Sequence, residues 1–153
     1  MPFLEYHGAS LHYEFHSRES AAPPLVLVHG FLEDLHMWEE LLPHWTAFGS
    51  VLTIDLPGHG ATSSFGYEHS MAFMADAVHA IAMHLNLPPF LLLGHSMGGY
   101  VGLEFALHHP EQLVGLGLFF STPEPDSEER KLMRVRAVEI VKQNKNTFVR
   151  ASI

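Results

Sequence analysis

Apolar and polar positions alternate along this chain in two distinct rhythms. Pro24-Leu-Val-Leu-Val28, Val51-Leu-Thr-Ile54, Phe90-Leu-Leu-Leu93 and Leu113-Val-Gly-Leu-Gly-Leu-Phe-Phe120 are short, nearly continuous apolar runs. Such runs suit strands covered on both faces, and they predict strands over 24–28, 50–55, 89–94 and 113–120. Between them the spacing changes to that of a helix. Met71, Met74, Ala75, Val78, Ile81 and Leu85 share one helical face over 70–86. Val101, Leu103, Phe105, Ala106 and Leu107 continue an apolar pattern until Pro110, which predicts a helix over 97–108. A further helical stretch is expected over 35–46. Upstream, partial alternation in Leu11, Tyr13 and Phe15 predicts a hairpin, with strands 2–7 and 11–16 around Gly8-Ala9. Strands separated by helices at these intervals imply crossover connections. The expected class is α/β, a mostly parallel sheet with an N-terminal antiparallel hairpin, without internal repeats or low-complexity tracts.

The character changes after Ser121. Thr122-Pro-Glu-Pro-Asp126 is rich in helix breakers, and Asp126-Ser-Glu-Glu129 reads as a capping box opening a helix. Leu132, Val135, Val138 and Val141 recur at helical spacing, and 146–153 reads as the capped first turns of another helix. A boundary is therefore expected between 1–122 and 123–153.

Chemistry concentrates where the third predicted strand meets its helix, in Gly94-His-Ser-Met-Gly98. A serine on so tight a turn has its hydroxyl held out at the sheet edge, and the helix N-terminus beside it favours developing negative charge. Two other strands end in comparable punctuation, His29-Gly30-Phe31 and Asp55-x-x-Gly58-x-Gly60. Taken in this order, the three motifs resemble those of the α/β-hydrolase superfamily, specifically its serine-nucleophile, esterase- and lipase-like members. The resemblance implies that Ser96 is the nucleophile and that the backbone N–H groups of Phe31 and Met97 form the oxyanion hole. It makes Gly30, Gly94 and Gly98 the glycines that shape the loop and the elbow. It also implies that 1–122 is the N-terminal part of the hydrolase core, lacking its last strands, and that 123–153 begins a helical lid.

The same family order places an acid and then a histidine downstream of the serine. The only histidines after Ser96 are His108 and His109, which the predicted helix carries roughly 18 Å along its axis from the nucleophile. His95 adjoins the serine, but neighbours on a sharp turn point apart. Among the downstream acids, Glu124 and Asp126 follow the strand after the elbow, a position some lipases use, although helix capping accounts better for Asp126. The chain is thus expected to end, at Ile153, before its catalytic acid and base.

Composition narrows the picture further. A formal charge of −9 without a basic cluster argues against nucleic acid and anionic membrane surfaces. No apolar run approaches the roughly 18 residues a membrane span needs. The N-terminus lacks the basic and long apolar regions of a signal peptide, so the expected location is cytoplasmic. There are no cysteines, hence no disulfide or thiolate metal site. The 13 histidines lack metal-ligand spacing: His12 and His16 lie far apart on a strand, and His79 and His84 are offset by five on a helix. For His29 and His59, in the loops near the expected pocket, hydrogen bonding within the loop is the simpler expectation. No cofactor or metal is implied.

Two functions of different kind fit these residues. One is hydrolysis of a small ester-like acyl substrate, with the triad completed by a C-terminal fragment. The other is a non-catalytic binding or assembly module of the same fold, a homo-oligomer formed through the 113–120 strand or by swapping 123–153.

Overall fold

The computed structural model describes residues 2–143. They divide into two compact units, one through Pro123 and one from Glu124 onward. The first opens with a hairpin, β1 (Phe3–Tyr6) and β2 (Ala9–His16), joined by His7 and Gly8. Both turn residues have positive φ, 47° and 79°. A two-residue turn of this sign matches the twist of the strands it joins, so β2 starts at Ala9 rather than at residue 11.

The other strands are β3 (Leu25–Val28), β4 (Val51–Ile54), β5 (Phe90–His95) and β6 (Leu113–Phe119). The sheet order is β1-β2-β4-β3-β5-β6. β2 pairs antiparallel with β4, whereas β4, β3, β5 and β6 are mutually parallel neighbours. The mixed sheet with an antiparallel N-terminal hairpin is therefore as the sequence implies.

Expected helix 35–46 is two pieces, a 3-10 turn at Leu35–Trp38 and the short helix α1 (Leu42–Thr46). Asp34 caps the first piece, its side chain accepting the His36 N–H at 2.9 Å. Pro43 lies in the first turn of the second, where a missing N–H is tolerated; inside a continuous helix it would break the ladder. Helix α2 (Met71–His84) begins at Ser70, whose hydroxyl accepts the Phe73 N–H at 3.1 Å. Its end is marked by Asn86 in the left-handed region at φ 51°. Helix α3 (Met97–His108) spans the residues its pattern predicts.

Alternate residues of β3 feed two cores. Val26 and Val28 join Leu52, Ile54 and Leu92 beneath α2 and α3, packed against Val78, Ile81, Val101 and Phe105. Leu27 faces the other way, with Trp38, Val51, Met37, Leu42 and Trp45. The expectation that β5 is covered on both faces does not hold throughout. Phe90 and Leu92 are buried, but Leu91 is 39% exposed. β6 is an edge strand of the described sheet, with Val114 exposed.

The second unit contains α4 (Glu128–Gln143). Its cap is Ser127 rather than Asp126: the Ser127 hydroxyl accepts the Arg130 N–H at 3.3 Å. Asp126 instead pairs with Arg134. The guanidinium hydrogen bond outweighs desolvation and holds the Asp126 carboxyl below its ordinary value. The reading of 146–153 as a capped helix start lies outside the described residues.

Candidate active site

Three parallel strands end at the same edge of the sheet, and the strained backbone of the first unit gathers in the loops beyond them. Leu32 after β3, Ser96 after β5 and Phe120 after β6 have φ of 62°, 49° and 45°. His7 and Asn86, the other non-glycine residues of positive φ among the described residues, belong to the hairpin turn and a helix end. Strain of this kind persists only where surrounding contacts over-determine it, and it clusters at functional sites.

Ser96 stands between β5 and α3 with φ 49° and ψ −111°. Packing explains why the chain must turn so tightly. A Cβ on Gly94 would strike the Gly98 carbonyl, and one on Gly98 would strike the Val28 carbonyl. The elbow thus presses against its own helix and against the end of β3. Its main chain is fixed from β6 as well: the Ser96 N–H donates to the Phe119 carbonyl at 3.0 Å, and the Ser121 hydroxyl donates to the Ser96 carbonyl at 2.8 Å. Ser96 itself is exposed.

Met97 is the first residue of α3, so its N–H has no acceptor within the helix. Gly30 lies opposite the elbow, and a Cβ placed on it would sit 3.2 Å from the Ser96 Cβ. Phe31 follows in the same loop, 54% exposed, with its ring edge-on to His59 at 6.1 Å. The structure therefore brings the glycine loop, the serine and the start of α3 to one place. An apolar rim surrounds them, with Phe119 and Phe120 5.6 and 6.2 Å from the His95 ring.

The histidines expected to bond within loops do so. Buried His29 donates from Nδ1 to the Gly30 carbonyl at 2.7 Å and accepts the Leu56 N–H on Nε2 at 3.0 Å. One bond needs a proton on the ring and the other needs a lone pair, so this imidazole is neutral. Burial lowers its proton affinity further. His59 bonds the Pro57 carbonyl. No group of three or more potential ligands among the described residues is arranged to hold a metal ion.

Two carboxylates of this region take their roles only from the structure: Asp55, which the sequence marks as the start of the Asp55-x-x-Gly58-x-Gly60 motif, and Glu33, which it does not mark. Asp55 ends β4 and accepts from the His12 ring at 2.8 Å, the Leu35 N–H at 2.8 Å and the Ala61 N–H at 2.8 Å. Burial raises the carboxyl's proton affinity, but these hydrogen bonds prevail and hold it below the ordinary carboxylate value. Glu33 accepts the Gly30 N–H at 2.6 Å and the His95 Nδ1–H at 2.8 Å on one oxygen, Oε2. The fourth residue after His29, in a loop whose Phe31 and Leu32 are exposed, it carried no pattern by which spacing could mark it. No described residue hydrogen-bonds the Ser96 hydroxyl.

With this geometry established, comparison with known proteins is informative. The family defined by the alpha/beta hydrolase fold matches residues 23–148, and the chain belongs to it. A thermophilic esterase from Thermogutta terrifontis superposes with a TM-score of 0.85 at 32% identity, over 95% of this chain and 53% of that one. Among curated relatives, the fluoroacetate dehalogenase of a Burkholderia species is 32% identical over 67% of this chain and 36% of its own length. The monoacylglycerol lipase ABHD6 of Mus musculus is 30% identical over 74% of this chain and 36% of its own. The chain thus spans about half of the esterase and about a third of these two relatives. No helix among the described residues is long and apolar enough to cross a membrane.

Proposed function

We propose that this chain carries the nucleophile and oxyanion hole of a serine hydrolase acting on a small ester-like acyl substrate. A dehalogenase and a lipase among the relatives mean that family membership alone does not choose the reaction. The observation that carries the choice is Ser96 itself, a serine held at φ 49° on an exposed strand-to-helix turn beside an unsatisfied helix N-terminus. Ser96 Oγ attacks the acyl carbonyl as a base removes its proton. The Phe31 and Met97 amides receive the charge developing on the carbonyl oxygen, and water then releases the acyl group. The reaction needs no cofactor. His95 is committed through Nδ1 to Glu33, and His108 and His109 sit at the far end of α3. The acid and base that complete the triad therefore come from outside residues 2–143. Residues 123–153 are read as the start of the family's lid. Intact-mass analysis after fluorophosphonate treatment tests this reading: a single adduct absent from Ser96→Ala supports it, and an adduct that survives the substitution refutes it.

The edge position of β6 favours a second reading, an assembly module that pairs this strand with another copy. Light scattering separates the two: a concentration-dependent dimer abolished by a proline at Val114 supports assembly, and a monomer at all concentrations sinks it.

A further inference from the structure

The loop after β3 and the elbow after β5 belong to different strands, and their mutual distance sets where two oxyanion donors stand. One carboxylate oxygen joins them. Glu33 Oε2 receives the N–H of Gly30, the residue before Phe31, and the ring N–H of His95, the residue before Ser96. The fit is close: a Cβ on Gly30 would lie 2.7 Å from Glu33 Oε2 and 3.0 Å from His95 Nδ1. The His95 ring is held on its other sides by Trp38, perpendicular to it at 6.5 Å, and by Phe119. A ring so packed does not swing to follow the carboxylate, so the carboxylate locates the loop relative to the ring.

We propose that Glu33 is a positioning residue of this site, fixing the spacing between the Phe31 and Met97 amides through Gly30 and His95. The catalytic consequence rests on the hydrolase reading above; the geometric one does not. Electrostatics alone predicts the opposite effect, because a negative charge beside the oxyanion hole opposes the charge that develops there. Glu33 is therefore useful to the reaction only for where it holds the loop. Misplacing reacting groups by about an ångström costs up to roughly a hundredfold in rate.

The test compares the unaltered chain with Glu33→Gln and Glu33→Ala. Nuclear magnetic resonance reads the Gly30 amide exchange rate, the His95 tautomer, and the Phe31 and Met97 amide shifts. Fluorophosphonate labelling reads Ser96. In Glu33→Ala, Gly30 exchange should rise at least about tenfold while the Val28 amide stays protected, and the Phe31 and Met97 shifts should move. Both donors converge on the one oxygen Oε2, so in Glu33→Gln the amide oxygen takes that place and accepts the Gly30 N–H and the His95 Nδ1–H alike. Gly30 protection and the Nδ1–H tautomer should then be largely retained. Labelling should slow about tenfold to a hundredfold in Glu33→Ala and less in Glu33→Gln. Unchanged Gly30 exchange in Glu33→Ala, loss of Gly30 protection in Glu33→Gln while Val28 stays protected, or faster labelling in Glu33→Gln would each overturn the proposal. If Glu33→Ala unfolds, with Val28 protection lost, Glu33→Gln decides alone. If the unaltered chain does not label, the base assigned outside residues 2–143 is missing from it, and the exchange, tautomer and amide shifts decide the positioning role.

Discussion

His12 Nδ1 and Asp55 Oδ2 meet at 2.8 Å in the interior, where each residue is only 1% exposed. His12 comes from the hairpin and Asp55 from the end of β4, so the pair fastens the antiparallel strands to the parallel part of the sheet. The carboxylate also anchors the 3-10 turn through the Leu35 N–H and the following loop through the Ala61 N–H. Asp55→Ala leaves the buried His12 ring and Leu35 N–H, and the part-buried Ala61 N–H, without their acceptor. Breaking a buried pair from one side costs about 3–5 kcal/mol, so urea unfolding of Asp55→Ala should show a loss of that order, or no folded state at all.

Acid should weaken the fold before it protonates carboxylates. His79 stacks on His109 at 3.8 Å with their planes 2° apart, and desolvation, followed by the neighbouring ring, lowers its proton affinity. Asp76 and Glu111 face it with the opposite but smaller influence. His29 is lowered too, chiefly by burial. Both rings bind protons less well folded than unfolded, so the unfolded chain takes up more protons as pH falls below the ordinary value of 6.5. Their stabilising effect is complete above that value and declines below it. Urea midpoints at pH 7.5 and 5.5 should therefore differ, and His79→Gln should reduce the difference; an unchanged difference would exclude His79 as a source.

Gly98→Ala should fail where most surface alanines succeed. Its methyl would meet the Val28 and His29 carbonyls, which belong to backbone and have no rotamer to change. Overpacking against rigid atoms typically costs about 1–3 kcal/mol or more. Thermal melts should show it, with alanine at Gly66, where nothing lies within 4 Å, as a contrast of backbone strain alone.

For α4, the capping geometry distinguishes two neighbours. Ser127→Ala should lower helicity by circular dichroism, since losing such a cap costs about 1 kcal/mol. Asp126→Asn should change it less, because that carboxylate pairs with Arg134 instead of capping the first turn.

Much of this fold was readable because apolar runs and helical spacing report burial directly. β3, β5 and the full extent of α3 follow from residues such as Val26, Leu92, Val101 and Phe105, each buried where its pattern places it. The limits were equally physical. The hairpin register depends on the signs of φ at His7 and Gly8, which hydropathy does not encode. The stretch 35–46 has helical composition throughout, and its division reflects capping at Asp34 and the proline at 43. In the candidate site, Ser96 announces itself by its glycines, whereas Glu33 and Asp55 act through donors that include His95, His12 and Leu35 from distant segments. A one-dimensional pattern identifies residues that need special neighbours in sequence. It does not reveal those whose importance lies in neighbours supplied by the fold.

The left-handed backbone at Ser96 has an implication for how such a chain changes over generations. At φ 49° and ψ −111° glycine is the residue with least steric cost, and a side chain held in so sparsely populated a region costs about 1–3 kcal/mol. Drift governed only by folding would therefore favour glycine at this position. Folding alone gives no reason for a serine in this conformation, and the proposed nucleophile supplies one.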